Sequence, residues 1–372
     1  MTLGGNPLRQ LQELGQSVWL DDLGARLLDS GELDRLVSED GVSGVTSNPT
    51  ILQKALAGEP AYRSDIHRQR VAGATTAQIC ENLMVHIARR AADALRAVHE
   101  RTAGQDGFVS LEVPPALAGD TPGTIAAARR LWLALDRPNV MIKVPATPAG
   151  LPAVRQLVAD GINVNVTLLF GVTRYREVLE AYAAGVEERR VAGRELTTVA
   201  SVASVFVSRI DTLVDAALET AADRHPRARE LLGRAGTGVA RFIYGDFKKF
   251  LASAQWQRLA AYGARPQRPL WASTSTKNPA YSDVKYVDAL IGPMTVTTVP
   301  LDTLALFRDH GRPGPTLETD PYQVASLPGE LLALGIDLER VSQQLEDEGV
   351  RKFADSYRAL EAAVEAAGRP AS

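Results

Sequence analysis

The stretch Asn139-Val140-Met141-Ile142-Lys143-Val144-Pro145 reads as a buried strand, apolar along its core apart from one lysine near its C-terminal end. A strand covered on both faces is a near-continuous run of Val, Ile and Leu. An ammonium group inside such a run carries a desolvation cost of several kcal/mol unless it is paired or neutralised. Burial also pushes an amine toward its neutral, nucleophilic form. The competing reading is a surface lysine on an edge strand. Composition weighs against it, because of the 41 Lys and Arg residues only seven are Lys. A bias toward Arg accounts for that scarcity but not for a lysine kept inside an apolar strand.

Working outward, the run Phe108-Val109-Ser110-Leu111-Glu112-Val113 is the preceding strand, with Glu112 near its C-terminal end as Lys143 is in the next. Thr147-Pro148 opens the following helix with a cap and a first-turn proline, and Gly161 closes it. The segment from Ile162 to Phe170 then alternates polar and apolar, so a period of two puts Asn163, Asn165 and Thr167 on one face. Aligned polar side chains in an apolar setting need partners, so this face lines a hydrogen-bonded core network or a wet site. The site is favoured.

Three further strands follow the same plan. The sixth runs from Leu196 to Ser204, with Phe206 and Arg209 just beyond it; the seventh, Pro269 to Ser273, runs into Thr274-Ser275-Thr276-Lys277-Asn278-Pro279; the eighth spans Met294 to Pro300. Toward the N-terminus, a helix leads into Ser17-Val18-Trp19-Leu20, which ends on Asp21 and Asp22. One aspartate can cap the helix that follows while the other faces a site. Next comes Gly44-Val45-Thr46-Ser47-Asn48-Pro49, a strand closing on polar residues, where Asn48-Pro49 is also a turn signal in its own right. A long amphipathic helix is expected from Thr75 to about Thr102.

About eight short strands alternating with helices point to an α/β fold, a parallel (β/α)8 barrel of the triosephosphate isomerase (TIM) type, more than to an open sheet. The barrel is expected over about residues 15–310 of a single domain spanning 1–372, with C-terminal helices over about 311–372 as an appendage. The polar residues favour closure. Asp21, Asn48, Glu112, Lys143, Asn165 with Thr167, Ser204, and Ser273 through Lys277 each fall at or just past the end of a different strand, and a barrel gathers those ends on one face.

Totals bound the rest. At 372 residues, 45% hydrophobic and 23% charged, the chain can bury a large core. A net charge of −3 and a pI near 6.0 give no basic footprint for nucleic acid. No run approaches the ~18 apolar residues of a membrane span, and Met1 to Gln10 lacks a secretory pattern, so a cytoplasmic enzyme without a membrane partner is the expectation. Cys80, the single cysteine, sits in an amphipathic run and reads as buried packing.

Among the gathered groups lysine is the covalent nucleophile, and an amine forms a Schiff base with a ketone or aldehyde. Glu112 and Thr167 could hold and polarise a water for the dehydration, and Asp21 could take the proton of a sugar hydroxyl as a carbon–carbon bond breaks. Arg209 and Lys277, with Ser204, Ser273 or Ser275, would make a compact phosphate site. His67, His86, His99, His225 and His310 fall away from the strand ends, so no zinc cluster is expected.

With these residues in place the sequence resembles the transaldolases, of the longer bacterial type with a C-terminal extension. The strongest matches are Gly44 to Thr50, Met141 to Thr147, and Asn165 to Phe170, within a resemblance running from Trp19 to Pro300. It implies Lys143 as the Schiff-base lysine, Glu112 and Thr167 around the catalytic water and Asp21 as acid/base. Asn48 and Asn165 would hold substrate hydroxyls, and Ser204 and Arg209 would bind phosphate. The implied reaction passes a dihydroxyacetone unit from a ketose phosphate, sedoheptulose 7-phosphate or fructose 6-phosphate, to an aldose phosphate, with no cofactor, by a monomer or homodimer. Where many relatives carry Ser-x-Arg-Asn, this chain reads Ser273-Thr274-Ser275-Thr276-Lys277-Asn278, so either serine answers to the motif and a lysine replaces a bidentate arginine. Phe206 stands where the fructose-6-phosphate aldolase branch carries a tyrosine; the plain alternative is a core phenylalanine. The competing functions are a Schiff-base aldolase that simply cleaves, and a barrel that binds sugar phosphates without turnover.

Overall fold

The computed structural model describes residues 5–47 and 60–368. Eight parallel strands close on themselves in sequence order: β1 (Gln16–Leu20), β2 (Val42–Thr46), β3 (Phe108–Glu112), β4 (Val140–Pro145), β5 (Val164–Leu169), β6 (Ser201–Phe206), β7 (Arg268–Ala272) and β8 (Thr295–Val299). The ring is completed by β1 pairing with β8, Trp19 lying opposite Thr298. The sheet is therefore the expected (β/α)8 barrel, with no edge left for an edge-strand lysine.

The two-residue period of each strand sorts side chains between two cores. Val109, Leu111, Ile142, Val144, Val164 and Val166 face outward into the large cluster shared with the helices. Trp19, Phe108, Met141, Val202, Leu270 and Val296 face inward and plug the barrel floor. Room for that plug comes from Gly44 on β2, where a Cβ would lie 2.5 Å from the Trp19 ring. The indole nitrogen in turn donates to Asp106 Oδ1 at 2.7 Å.

Strand bounds differ from the sequence reading by a residue or more at most ends, and the shift has a clear cause at the sixth strand. Residues 196–200 turn instead of extending, since Val199 N–H bonds back to the Leu196 carbonyl and Ala200 N–H to Asn163 Oδ1, so β6 starts at Ser201 and includes Phe206. The helix after β4 is regular from Gly150, yet Thr147 caps it as expected, accepting from the Gly150 N–H at 3.1 Å, and Gly161 ends it with φ of 93°. The long amphipathic segment is Thr76–Ala94, capped by a reciprocal Thr75–Gln78 box, with Arg96–Arg101 following Leu95. Cys80 is fully buried in it.

Beyond the last barrel helix (Leu301–His310) come Pro321–Ala333 and a 30-residue helix, Leu338–Ala367. The latter packs against β5, the helix Thr76–Ala94 and the helix Val207–Ala222, so it crosses the C-terminal mouth of the barrel. No helix of the described residues is long and apolar enough to cross a membrane.

Candidate active site

Inward-facing residues one step above the hydrophobic plug are polar, and they bond to each other. Asn165 Nδ2 donates to Ser110 Oγ at 3.0 Å, and Ser204 Oγ donates to Asn165 Oδ1 at 2.7 Å. Asn163, two residues earlier on β5, instead braces the barrel floor through the Pro138 and Val140 carbonyls. The aligned polar face of β5 thus splits by depth into a structural end and a site end. Ser204 lines the cleft, but its hydroxyl is given to Asn165.

The next step up holds the reactive groups. Glu112 ends β3, and Lys143 on β4 sits directly opposite it in register. Lys143 Nζ is in ion-pair contact with Glu112 Oε1 and donates to the Ser47 carbonyl at 3.2 Å. The expected desolvated lysine is present, only 6% exposed, but a carboxylate partner accompanies it. Burial pushes the Glu112 carboxyl up to about 7, a rise that the Lys143 charge opposes and the Asp21 charge reinforces. Thr167 is buried beside them, and neither its Oγ1 nor Glu112 Oε2 has a hydrogen-bond partner among the described residues. Leaving such groups unmatched costs about 1–3 kcal/mol each. The backbone next to Thr167 is irregular as well. Leu168 adopts φ of 59° where the β5–β6 register slips between Val166 and Leu169, a bulge of the kind found beside active sites.

Asp21 leaves β1 toward the same cleft and accepts from Thr46 Oγ1 at 3.0 Å. It caps no helix, because the helix Ala25–Asp29 starts from Gly24 without a side-chain cap. Asn48 and the start of its turn lie outside the described residues.

A third cluster occupies the β6 and β7 side. Arg209, in the first turn of the helix Val207–Ala222, stacks its guanidinium 5.1 Å above the half-buried Phe206 ring, which packs 5.5 Å from Phe170. Burial pulls Arg209 below its ordinary value, with Asp21 and Glu348 opposing. Ser273 Oγ lies 2.9 Å from Ser208 Oγ, and Lys277 Nζ donates to Ser275 Oγ at 2.6 Å. This loop is tied to the Arg209 helix by Tyr281, which donates to Asp215, and Lys285, which pairs with Asp211 at 3.0 Å. Ser273, Ser275, Lys277 and Arg209 share one cleft of about 460 Å³ with Asp21, Lys143, Thr167, Ser204 and Phe206.

The sequence reading missed that the C-terminal helix reaches this cleft through Lys352, Phe353 and Ser356. The signal was there in part: Leu345, Gly349, Phe353, Leu360 and Val364 recur at helical spacing. Nothing in the spacing says which surface that stripe covers. A larger groove, about 840 Å³, is lined by the Arg130–Glu81 pair, by Pro114 and Pro115 just past β3 and by Tyr357 and Arg358 of the C-terminal helix.

Known proteins resemble this chain over nearly its full length. The family model described as transaldolase/fructose-6-phosphate aldolase matches residues 18–364. The chain is 46% identical over 355 residues to a transaldolase of Thiobacillus denitrificans, covering 95% of this chain and 98% of that one. It is 46% identical over 357 residues to a transaldolase of Thermobifida fusca, with 96% of each covered. Transaldolase 2 of a Nostoc strain is 44% identical over 364 residues, 95% of this chain and 96% of its own.

Proposed function

The chain belongs to the transaldolase/fructose-6-phosphate aldolase family, and on that premise we propose how this transferase moves a dihydroxyacetone unit between sugar phosphates. The observation that carries the reading is the buried Lys143–Glu112 pair at adjacent strand ends, beside Thr167 and below Asp21. Lys143 passes a proton to Glu112, whose raised affinity for it suits near-neutral pH, and attacks the ketose carbonyl. Glu112, with a water held between its free oxygen and Thr167, returns a proton as the carbinolamine loses hydroxide as water. Asp21 then takes a hydroxyl proton from the donor as the carbon–carbon bond breaks. The aldose phosphate leaves, and the three-carbon unit stays on Lys143 until an acceptor aldehyde reverses the steps.

Arg209 and Lys277, with Ser273 or Ser275, hold the phosphate at the positive end of the helix Val207–Ala222. Asn165, oriented by Ser204, holds a substrate hydroxyl, and Asn48 is assigned the same task. The donors are sedoheptulose 7-phosphate or fructose 6-phosphate, and the acceptors glyceraldehyde 3-phosphate or erythrose 4-phosphate. The reaction needs no cofactor and runs in the cytoplasm, on a monomer or homodimer. Borohydride reduction in the presence of fructose 6-phosphate, followed by peptide mass mapping, tests the reading. Modification is expected on Lys143 and lost in Lys143→Ala; a reduced adduct on another lysine would overturn it.

A further inference from the structure

We infer that the C-terminal helix completes the phosphate end of the cleft, with Lys352 as a further phosphate-binding residue and Glu348 as its partner when no substrate is bound. The inference rests on the sugar-phosphate reading above and adds residues outside the motifs that suggested it.

The helix Leu338–Ala367 is fixed over the mouth by contacts that leave little freedom. Glu346, nearly buried, pairs with Arg174 at 3.1 Å, and Thr173 donates to Glu339 at 2.8 Å. Gly171 passes so close to Ser342 that a Cβ there would meet its Oγ at 2.4 Å, and a Cβ on Gly349 would meet Leu168 at 3.1 Å. The helix is thereby seated on the bulge beside Thr167. From Gly349, one more turn at 3.6 residues per turn brings Lys352 and Phe353 to the cleft, and the next brings Ser356.

Charge places Lys352 at the phosphate end. Glu348, one turn earlier, acts on the Arg209 charge, and its Oε2 pairs with Lys352 Nζ at 3.3 Å. Arg209 itself has no ion-pair partner among the described residues. Lys143, Arg209, Lys277 and Lys352 line the cleft, with Asp21 the single carboxylate in that lining among the described residues. Lys352 is 64% exposed, so its tether is free to move from Glu348 to an arriving phosphate. A surface pair of this kind is weak and is readily exchanged for a dianion. Glu348 then has a signed effect: it competes with phosphate for Lys352 and repels it from Arg209.

The test is competitive inhibition of the wild-type and variant enzymes by inorganic phosphate, together with KM for fructose 6-phosphate. Lys352→Gln should raise both constants about 10-fold, as expected for losing one charge-assisted contact, and Lys352→Arg should restore them. Glu348→Gln should lower the phosphate inhibition constant, the opposite direction. A helix that only braces the fold would move kcat or stability and give neither the opposed signs nor the rescue by arginine. Unchanged constants in Lys352→Gln, or weaker phosphate binding in Glu348→Gln, would overturn the inference. Borohydride trapping of the wild type with fructose 6-phosphate separates the two levels: if the wild type traps no substrate, the transaldolase reading fails, whereas normal trapping with unmoved phosphate constants rejects only the role of Lys352.

Discussion

Glu112 and Lys143 lie opposite one another on adjacent parallel strands, in register and on the inner face, with their side chains in ion-pair contact. Both are carried by strand backbone rather than by loops, so their separation is set by the interstrand spacing of about 4.8 Å and by two side-chain lengths. Sites built on strands hold their geometry better than sites on loops. On the proposed mechanism the acid/base group and the nucleophile are therefore preorganised, while the residues assigned to phosphate come from a loop and two helices.

Glu112→Gln keeps a hydrogen-bonding amide but cannot carry a proton. Turnover is expected to fall about 10²–10⁴-fold, with a smaller change in KM. In the wild type, kcat/KM should decline as pH drops below about 7, because protonated Glu112 cannot accept the Lys143 proton. Glu112→Gln should lack that limb. Stability gives a second readout. The folded chain binds the Glu112 proton more tightly than the unfolded chain, so this group's contribution is full below the ordinary 4.5 and is lost as pH rises through about 7. Urea melts at pH 5 and 8 should show that loss in the wild type and a smaller one in Glu112→Gln. A rate within a few-fold of wild type would make Glu112 a positioning group.

The barrel and most of its inner face were legible because period-two alternation and strand-end polarity are local signals. Lys143, Glu112 and Thr167 each stand out against apolar neighbours within their own strands. Depth was not legible: Asn163 and Asn165 look alike in sequence, and only the barrel's stagger sends one to the floor and the other to the site. The start of β6 was misread because Leu196, Val199 and Ala200 are apolar and Thr197 and Thr198 are β-branched, while the backbone turns back on itself to meet Asn163. Lys352 was invisible because a helix stripe records that one face is covered and not what it covers.

Gly44→Ala tests the floor. The added methyl meets the Trp19 ring at 2.5 Å, and the indole is also held through its bond to Asp106, so it cannot retreat freely. Overpacking of this sort costs about 1–3 kcal/mol, which urea denaturation would read as a lower midpoint at constant slope. Stability equal to wild type would mean that the Trp19 plug repacks without cost.

Arg209→Ala removes a guanidinium that has no ion-pair partner among the described residues, so the change should fall on substrates carrying phosphate. KM for fructose 6-phosphate is expected to rise by about 10-fold or more, while trapping of unphosphorylated dihydroxyacetone on Lys143 changes little. Lys277→Arg should preserve or improve phosphate affinity, since arginine offers two donors where lysine offers a point charge. Equal losses with both kinds of substrate would place Arg209 outside the phosphate site. A severe loss in Lys277→Arg would show that the loop from Ser273 to Lys277 is shaped around the smaller ammonium.

The last expectation separates transfer from simple cleavage, and it turns on what surrounds the three-carbon unit after the first aldose phosphate leaves. Transfer requires that this carbanion wait on Lys143 without being protonated. Phe206 helps by being apolar: its ring lines the cleft, backed by Phe170 and covered by Arg209, and it offers neither a proton nor a hydrogen bond to hold a water. Phe206 is half-buried, packing on both hydrophobic clusters while lining the cleft beside Lys143 and Thr167. Phe206→Tyr adds a hydroxyl at the end of a ring that lines the cleft and is held by Phe170 and Arg209. With fructose 6-phosphate alone, the wild type should release dihydroxyacetone slowly or negligibly, and form glyceraldehyde 3-phosphate fast once erythrose 4-phosphate is added. The tyrosine variant should release dihydroxyacetone faster without acceptor, at the expense of transfer. Steady release by the wild type at one rate with and without acceptor would make the enzyme an aldolase, because the carbanion would then be finding its proton before its acceptor.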